Sequence, residues 1–152
     1  MPEMTEEQFT TEAAAFLDTH GSRKAERKAF VWGEGPDNAA MFEEVDREKE
    51  QLDLASAKEW RAKKFDAGFG WISGPAELGG GGHPRRFERT WANLESQYDV
   101  PDGGFFGIGL GMVAPTILAH GNPEVVADLL PKMYRADLIS CQLFSEPGAG
   151  SD

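Results

Sequence analysis

Cys141-Gln-Leu-Phe-Ser-Glu-Pro-Gly-Ala-Gly-Ser-Asp152 ends the sequence, and its reading decides the fold. Leu138 to Phe144 has the apolar run expected of a strand, the one strand that the chain predicts, and it enters a Pro-Gly-Ala-Gly turn. Gly148 and Gly150 carry no side chain that would keep a flat, phosphate-bearing ligand away from the backbone. The hydroxyls of Ser145 and Ser151 add directional donors. A lone Gly-Ala-Gly-Ser would read as a tight turn, so the weight of the longer string depends on what precedes it.

What precedes it is helical. Thr5 and Gln8 have the spacing of a capping box, and Phe9, Ala13, Phe16 and Leu17 follow at helical intervals, predicting a helix over about residues 6 to 19 that ends near Gly21. Turn residues over Gly33 to Asn38 lead into a stretch without Gly or Pro until Gly68, read as one long helix or two joined ones. Its apolar stripe is Phe42, Val45, Leu52, Ala55 and Phe65, and Glu43, Glu44, Arg47, Glu48 and Glu50 form its wet face. Residues 68 to 84 hold seven glycines and two prolines and read as a connector. Arg86 to Tyr98 is helix-like, with Phe87, Trp91, Leu94 and Tyr98 as packing residues; Phe105 to Ala119 is apolar enough for a buried helix. Gly121-Asn122-Pro123 then supplies a stop, an N-cap and a first-position proline for a short helix reaching Leu130.

The fold class predicted is therefore all-α, a helical bundle of five or six helices over residues 1–137. Residues 138–152 are read as the start of a β-domain. A single strand without a partner leaves an open edge, so more β-structure is expected after Asp152.

Bulk composition narrows the function. The 152 residues include 15 Lys plus Arg against 26 Asp plus Glu, a formal charge of −11, which repels phosphate backbones and anionic lipid surfaces. Nucleic acid and membrane are thus not expected as partners, although backbone N–H groups can still bind an anionic cofactor. One cysteine, Cys141, allows no internal disulfide, and its apolar neighbours Ile139 and Leu143 predict a packed thiol. No run approaches the ~18 apolar residues of a membrane span, and Met1-Pro-Glu-Met-Thr-Glu-Glu lacks an export pattern, so a cytoplasmic location is expected.

The string from Ser145 to Asp152 after a strand resembles the signature of the acyl-CoA dehydrogenase family. Ordered matches precede it: Trp60 through Gly68-Phe-Gly-Trp71, Pro75-Ala-Glu-Leu-Gly-Gly80, Ala114-Pro-Thr-Ile-Leu-Ala-His-Gly121 and Leu130-Pro131. The resemblance covers most of residues 55 to 152; the first 50 fit only by being helical. It implies an N-terminal helical domain, a middle β-domain and a C-terminal helical domain, usually in a homo-oligomer, with this chain holding the first and the threshold of the second.

The resemblance also implies FAD as cofactor and an acyl-CoA substrate oxidised to the trans-2-enoyl thioester, as in fatty-acid or related catabolism. An electron-transfer flavoprotein would be the electron acceptor. By carry-over, Gln142, Leu143, Phe144, Ser145, Gly150 and Ser151 line the flavin, and the Ser145 hydroxyl donates to the ring nitrogen that accepts hydride. Ser151 also meets the substrate, whose acyl pocket would be lined by the helix carrying Phe106 and Leu110. No catalytic residue is assigned in this chain, because the family's general base is usually a Glu of the C-terminal domain; Glu146 belongs to the signature and is not that base. An oxidase or monooxygenase on the same fold is the alternative, as is a non-catalytic structural or interaction fragment. The 152 residues alone are expected to be inactive.

Other patterns carry less. Gly107-Ile-Gly-Leu-Gly111 lacks the spacing and preceding strand of a dinucleotide fingerprint. Each glycine costs a helix about 1 kcal/mol relative to Ala, so the three serve either to widen an acyl site or to allow close helix packing. His20, His83 and His120 are dispersed and show no metal-ligand spacing. Arg85, Arg86 and Arg89 form the one basic cluster, read as a solvated helix start.

Overall fold

The computed structural model describes residues 4–25, 46–143 and 148. Helix α1, Glu6–His20, starts as its cap predicts: the Gln8 N–H donates to the Thr5 hydroxyl at 3.2 Å and the Thr5 N–H donates to the Gln8 side-chain oxygen at 2.9 Å. Two orphan donors of the first turn are satisfied at once, and Phe9, Ala13 and Leu17 are buried below them. After Gly21 the chain forms strand β1, Ser22–Arg23, antiparallel to β2, Tyr98–Asp99. Tyr98 is buried and its hydroxyl donates to Asp18 at 2.6 Å, tying the pair back to α1.

Helix α2, Arg47–Asp66, is capped by Asp46, whose carboxylate accepts from the N–H groups of Glu48 and Lys49. Its predicted stripe is corrected: Phe42 and Val45 lie outside the described residues, and Leu52 and Ala55 are exposed. The buried residues are Ala57, against Phe106 and Ala136, and Trp60, in the cluster of Phe9 and Trp91. Phe65 of the predicted stripe packs half-buried against the cluster of Trp71, and α2 runs beside helix α5, Pro123–Arg135. Helix α3, Arg86–Glu95, packs Phe87 and Trp91 toward α1. It stops short of Tyr98, which leaves the helical spacing to pair in β2.

The predicted connector over 68 to 84 is instead a folded piece of the core. It doubles back, with the N–H groups of Gly81, Gly82 and His83 donating to the carbonyls of Trp71, Gly74 and Ile72 at 2.8, 2.8 and 2.9 Å. Trp71 and Ile72 are buried, and the Trp71 ring stacks on Tyr134 at 3.9 Å between centroids.

The stretch predicted as one buried helix from Phe105 to Ala119 is three joined pieces: a 3-10 turn at Gly104–Phe106, a π-helical turn at Gly109–Val113, and helix α4, Ala114–His120. Pro115 has no N–H, and its ring would press on the carbonyl four residues back in a regular helix; a wider turn just before it relieves that contact. The stretch is buried on one side only, at Phe106, Gly109 and Ala114, while Ile108, Met112 and Leu118 are exposed.

Asn122 and Pro123 start α5 as predicted, the Val125 N–H donating to the Asn122 side chain at 2.9 Å. The helix does not stop at Leu130, however. It runs through Pro131 to Arg135, since Leu130 and Met133 share one buried stripe whose packing outweighs the missing donor. Ala136 ends it in the left-handed region at φ 71°. The predicted strand from Leu138 is also corrected: residues 138 to 143 form no ladder, because none of the described segments offers them a partner edge, and Phe144 lies outside the described residues. Cys141 is consequently exposed, not packed.

Among the described residues these elements build two large hydrophobic clusters and a small third one of Ala57, Phe106 and Ala136. Of the large two, one joins α1, α3 and the folded loop through Phe9, Phe87 and Trp91; the other joins α4 and α5 to Trp71 through Ala114, Leu130 and Met133.

Candidate functional site

The π-helical turn sets the geometry of the candidate site. Gly107 and Gly111 face open space, since a Cβ added at either would meet nothing within 4 Å among the described residues. Gly109 alone packs, its Cβ position lying 3.5 Å from Ser140 Cβ. Of the two roles predicted for these glycines, close packing therefore fits Gly109 and open space fits the other two.

Near its C-terminal end the chain returns to the Gly109 side of this segment, where Ser140 packs, and not to the open Gly107 and Gly111 positions. The Gln142 side-chain amide donates to the Met112 sulfur at 3.5 Å, and Leu143 beyond it is 88 % exposed. Thus two of the predicted cofactor residues, Gln142 and Leu143, are brought to the segment carrying the predicted acyl-site residues. Within that segment Leu110 is half-buried, and Phe106 is buried against Ala57 and Ala136 with the Arg61 guanidinium 6.0 Å from its ring. Phe144, Ser145, Gly150 and Ser151 lie outside the described residues. Exposed Ile108, Met112 and Leu143 give this region an apolar surface with one amide set into it.

On the inner side of the same segment, between the two hydrophobic clusters, runs a cleft of about 660 Å3 lined by Leu110, Gly111 and Leu118 on one side and by Trp91 and Glu95 on the other. Its floor is ionic. Glu95 accepts from the indole N–H of Trp60 at 3.0 Å, from that of Trp91 at 2.9 Å and from the Lys64 ammonium at 2.8 Å. Lys64 and Glu95 side chains are only 11 % and 20 % exposed. Burial pulls the Lys64 ammonium below the usual lysine range in spite of the Glu95 charge beside it. Beside them the Arg61 guanidinium donates from Nε to the Tyr134 carbonyl at 3.0 Å and from Nη2 to the Gly70 carbonyl at 2.8 Å, and burial lowers its pKa too.

Sequence reasoning passed over this cluster. Lys64 follows Trp60 by one helical turn, and Glu95 follows Trp91 in the same way; a charge one turn from a core tryptophan was the available signal. The basic cluster at the start of α3 is spread out: Arg86 lies over the Phe87 ring with Glu6 3.9 Å away, Arg85 is at the cleft, and Arg89 is exposed. His83 packs edge-on against Phe9. Among the described residues no group of three His, Cys, Asp or Glu converges on a metal position, and no helix is long and apolar enough to cross a membrane.

The family model described as "Acyl-CoA dehydrogenase, N-terminal domain" matches residues 4–137. The chain is 59 % identical over 39 residues to the acyl-CoA dehydrogenase FadE34 of Mycobacterium tuberculosis, a stretch of 26 % of this chain and 6 % of that protein. It is 33 % identical over 94 residues to the acyl-CoA dehydrogenase IpdE1 of the same organism, covering 61 % of this chain and 24 % of the relative. The IpdE1 of Mycolicibacterium smegmatis is 32 % identical over 94 residues, with the same coverage. The matched stretches thus span about a quarter or less of these relatives' own lengths. No solved structure matches the chain.

Proposed function

Because the chain belongs to the acyl-CoA dehydrogenase family through its N-terminal domain, we propose that it contributes the helical part of an FAD-dependent oxidoreductase that converts an acyl-CoA to its trans-2-enoyl-CoA. Residues 1–137 form the helical domain in this reading, and residues 138–152 open the middle β-domain. The observation that carries the proposal is the contact of Gln142 with Met112, which joins the cofactor-side segment to one face of residues 104 to 120.

That face suits the edge of a flat ring system: Leu143 offers apolar area, the Gln142 amide offers a donor and an acceptor, and the exposed Met112 is polarisable. When bound, FAD supplies the two-electron acceptor for the hydride leaving the β-carbon. Gln142 and Leu143 would hold its edge, while the Phe144 and Ser145 backbone would orient it. The Ser145 hydroxyl would stabilise negative charge by a preorganised hydrogen bond. Gly150 would allow close approach, and Ser151 would meet the acyl-CoA and the phosphates. Leu110 and Phe106 would line the acyl side, with the space above Gly107 and Gly111 admitting a long or bulky chain. The α-proton would pass to a carboxylate expected from the C-terminal helical domain of the parent.

In this reading the parent is a cytoplasmic homo-oligomer that passes electrons to an electron-transfer flavoprotein. Mixing the parent with acyl-CoA without oxygen should bleach the flavin absorbance and release the enoyl product; no bleaching with straight, branched or bulky acyl-CoA alike would overturn the proposal. Oxygen uptake during turnover would mark an oxidase or monooxygenase. We propose further that the 152 residues alone do not turn over. Tight, stoichiometric FAD binding by this chain, with a shifted flavin spectrum, would defeat that part.

A further inference from the structure

We propose that the cleft between the two hydrophobic clusters is a binding site for a carboxylate carried on an apolar body, anchored by Arg61. This uses none of the predicted flavin residues, although Leu110 and Gly111, which the dehydrogenase reading gives to the acyl side, also line the cleft.

The first observation is the guanidinium itself. Arg61 reaches backbone carbonyls with Nε and Nη2, but among the described residues it has no carboxylate partner, and Nη1 donates to nothing. Glu95, the nearest anion on the cleft floor, is already taken by Lys64 and two indoles. A half-buried cation with no ion-pair partner among the described residues gains a charge-assisted hydrogen bond from an incoming carboxylate.

The second is the charge and shape of the cleft. Arg61, Lys64 and Arg85 face Glu88 and Glu95 there, a local surplus of one positive charge in a chain of net charge −11. That surplus matches one carboxylate and falls short of a phosphate dianion. Its walls include Phe69, Trp71, Trp91 and Tyr134, and its volume of about 660 Å3 suits a compact organic ligand. The body of the ligand would lie on the aromatic walls, with its carboxylate against Nη1.

The test is titration of the full chain with 2-naphthoate, its neutral isostere 2-naphthamide and inorganic phosphate, followed by tryptophan fluorescence and calorimetry. Naphthoate should bind saturably, one per chain and about tenfold more tightly than the amide, as one hydrogen bond to a charged group implies. Phosphate should not compete at equal concentration. In Arg61→Gln the preference for the acid should vanish while amide binding stays. Should that variant fail to fold, Leu118→Glu, at an exposed position on the cleft, should narrow the preference for the acid over the amide, because the added negative charge opposes only the carboxylate. Equal binding of acid and amide, no binding of either, effective competition by phosphate, or a preference for the acid that survives in folded Arg61→Gln or is not narrowed in Leu118→Glu would each overturn the proposal.

Discussion

At Gly74 an added Cβ would lie 2.1 Å from the Trp71 ring, and at Gly80 it would lie 2.3 Å from the Gly74 backbone, whereas at Gly107 and Gly111 it would meet nothing within 4 Å. The same residue type serves opposite ends in the two regions. In the folded loop, glycine lets backbone and indole approach until no atom more can fit, which fixes Trp71 against Tyr134 and so holds α5 to the loop. On the π-helical turn, glycine costs helix stability and leaves space unfilled. Crowding marks the frame, and unused space marks the face where a ligand is proposed to lie.

The largest effect expected from this contrast is at Gly74. Alanine there must displace the Trp71 ring or the loop backbone, and overpacking of this kind costs about 3 kcal/mol. Urea unfolding of Gly74→Ala, and of Gly80→Ala beside it, measures the loss. A cost near zero at both would mean that the loop is slack and that the comparison fails on its packed side.

Next comes the ionic floor that separates the two clusters. Glu95→Gln leaves the Lys64 ammonium buried without its counter-charge, a change that costs about 3 kcal/mol for a buried pair. The pH dependence has a definite sign. Lys64 holds its proton less tightly folded than unfolded, so stability rises with pH between its lowered folded value and its ordinary value of 10.5. Glu95→Gln removes the charge that holds the proton on Lys64 and lowers its folded value further, so the penalty should shrink as pH climbs from that value toward the wild-type folded one. Denaturant midpoints of wild type and variant at neutral and alkaline pH check this, and a penalty that grows with pH would contradict the buried, desolvated ammonium.

The opposite sign is expected on the open side. Gly107→Ala and Gly111→Ala introduce a methyl group into empty space, so each should stabilise the isolated chain, by up to about 1 kcal/mol, read as a higher melting temperature. Gly111→Leu in the parent enzyme should fill the proposed acyl space and shift preference to shorter or slimmer chains. Stability gained without a change in preference would keep the open face but remove its assignment to the acyl group.

Local features were the legible part of this molecule. The Thr5 box and the Asn122-Pro123 start were readable because a cap is settled by residues three apart. The helical class of the fold was readable for the same reason, in the periodicity of α1 and α3. What depended on distant partners was not. Leu138 to Leu143 has strand composition but pairs with no described strand, and Cys141 has apolar neighbours in sequence yet is exposed. Pro131 looked like a terminator because the burial of Met133 beyond it is a tertiary fact. At the candidate site, the family resemblance proposed Gln142 and Leu143 as partners of a ligand, while the approach of Gln142 to Met112 and the existence of the Arg61 cleft required the fold.

The smallest effect expected lies outside both regions, at Asp66, where a charge clamp joins the end of α2 to the end of α5. Arg135 donates to the two Asp66 oxygens at 2.8 and 3.0 Å and also reaches Asp137 at 2.9 Å. These groups are well exposed, so solvent screens the pair and Asp66→Asn should cost little at neutral pH. Its pH signature is nevertheless specific. The Arg135 hydrogen bond holds the Asp66 carboxyl below its usual 3.8, so its contribution is complete above that value and is lost as pH falls through the lower folded value. Wild type and Asp66→Asn should differ slightly at pH 7 and converge in strong acid. A difference that persists in acid would mean that Asp66 acts through packing at the α2 and α5 ends, which would extend the crowded frame to a point that now looks like its solvated margin.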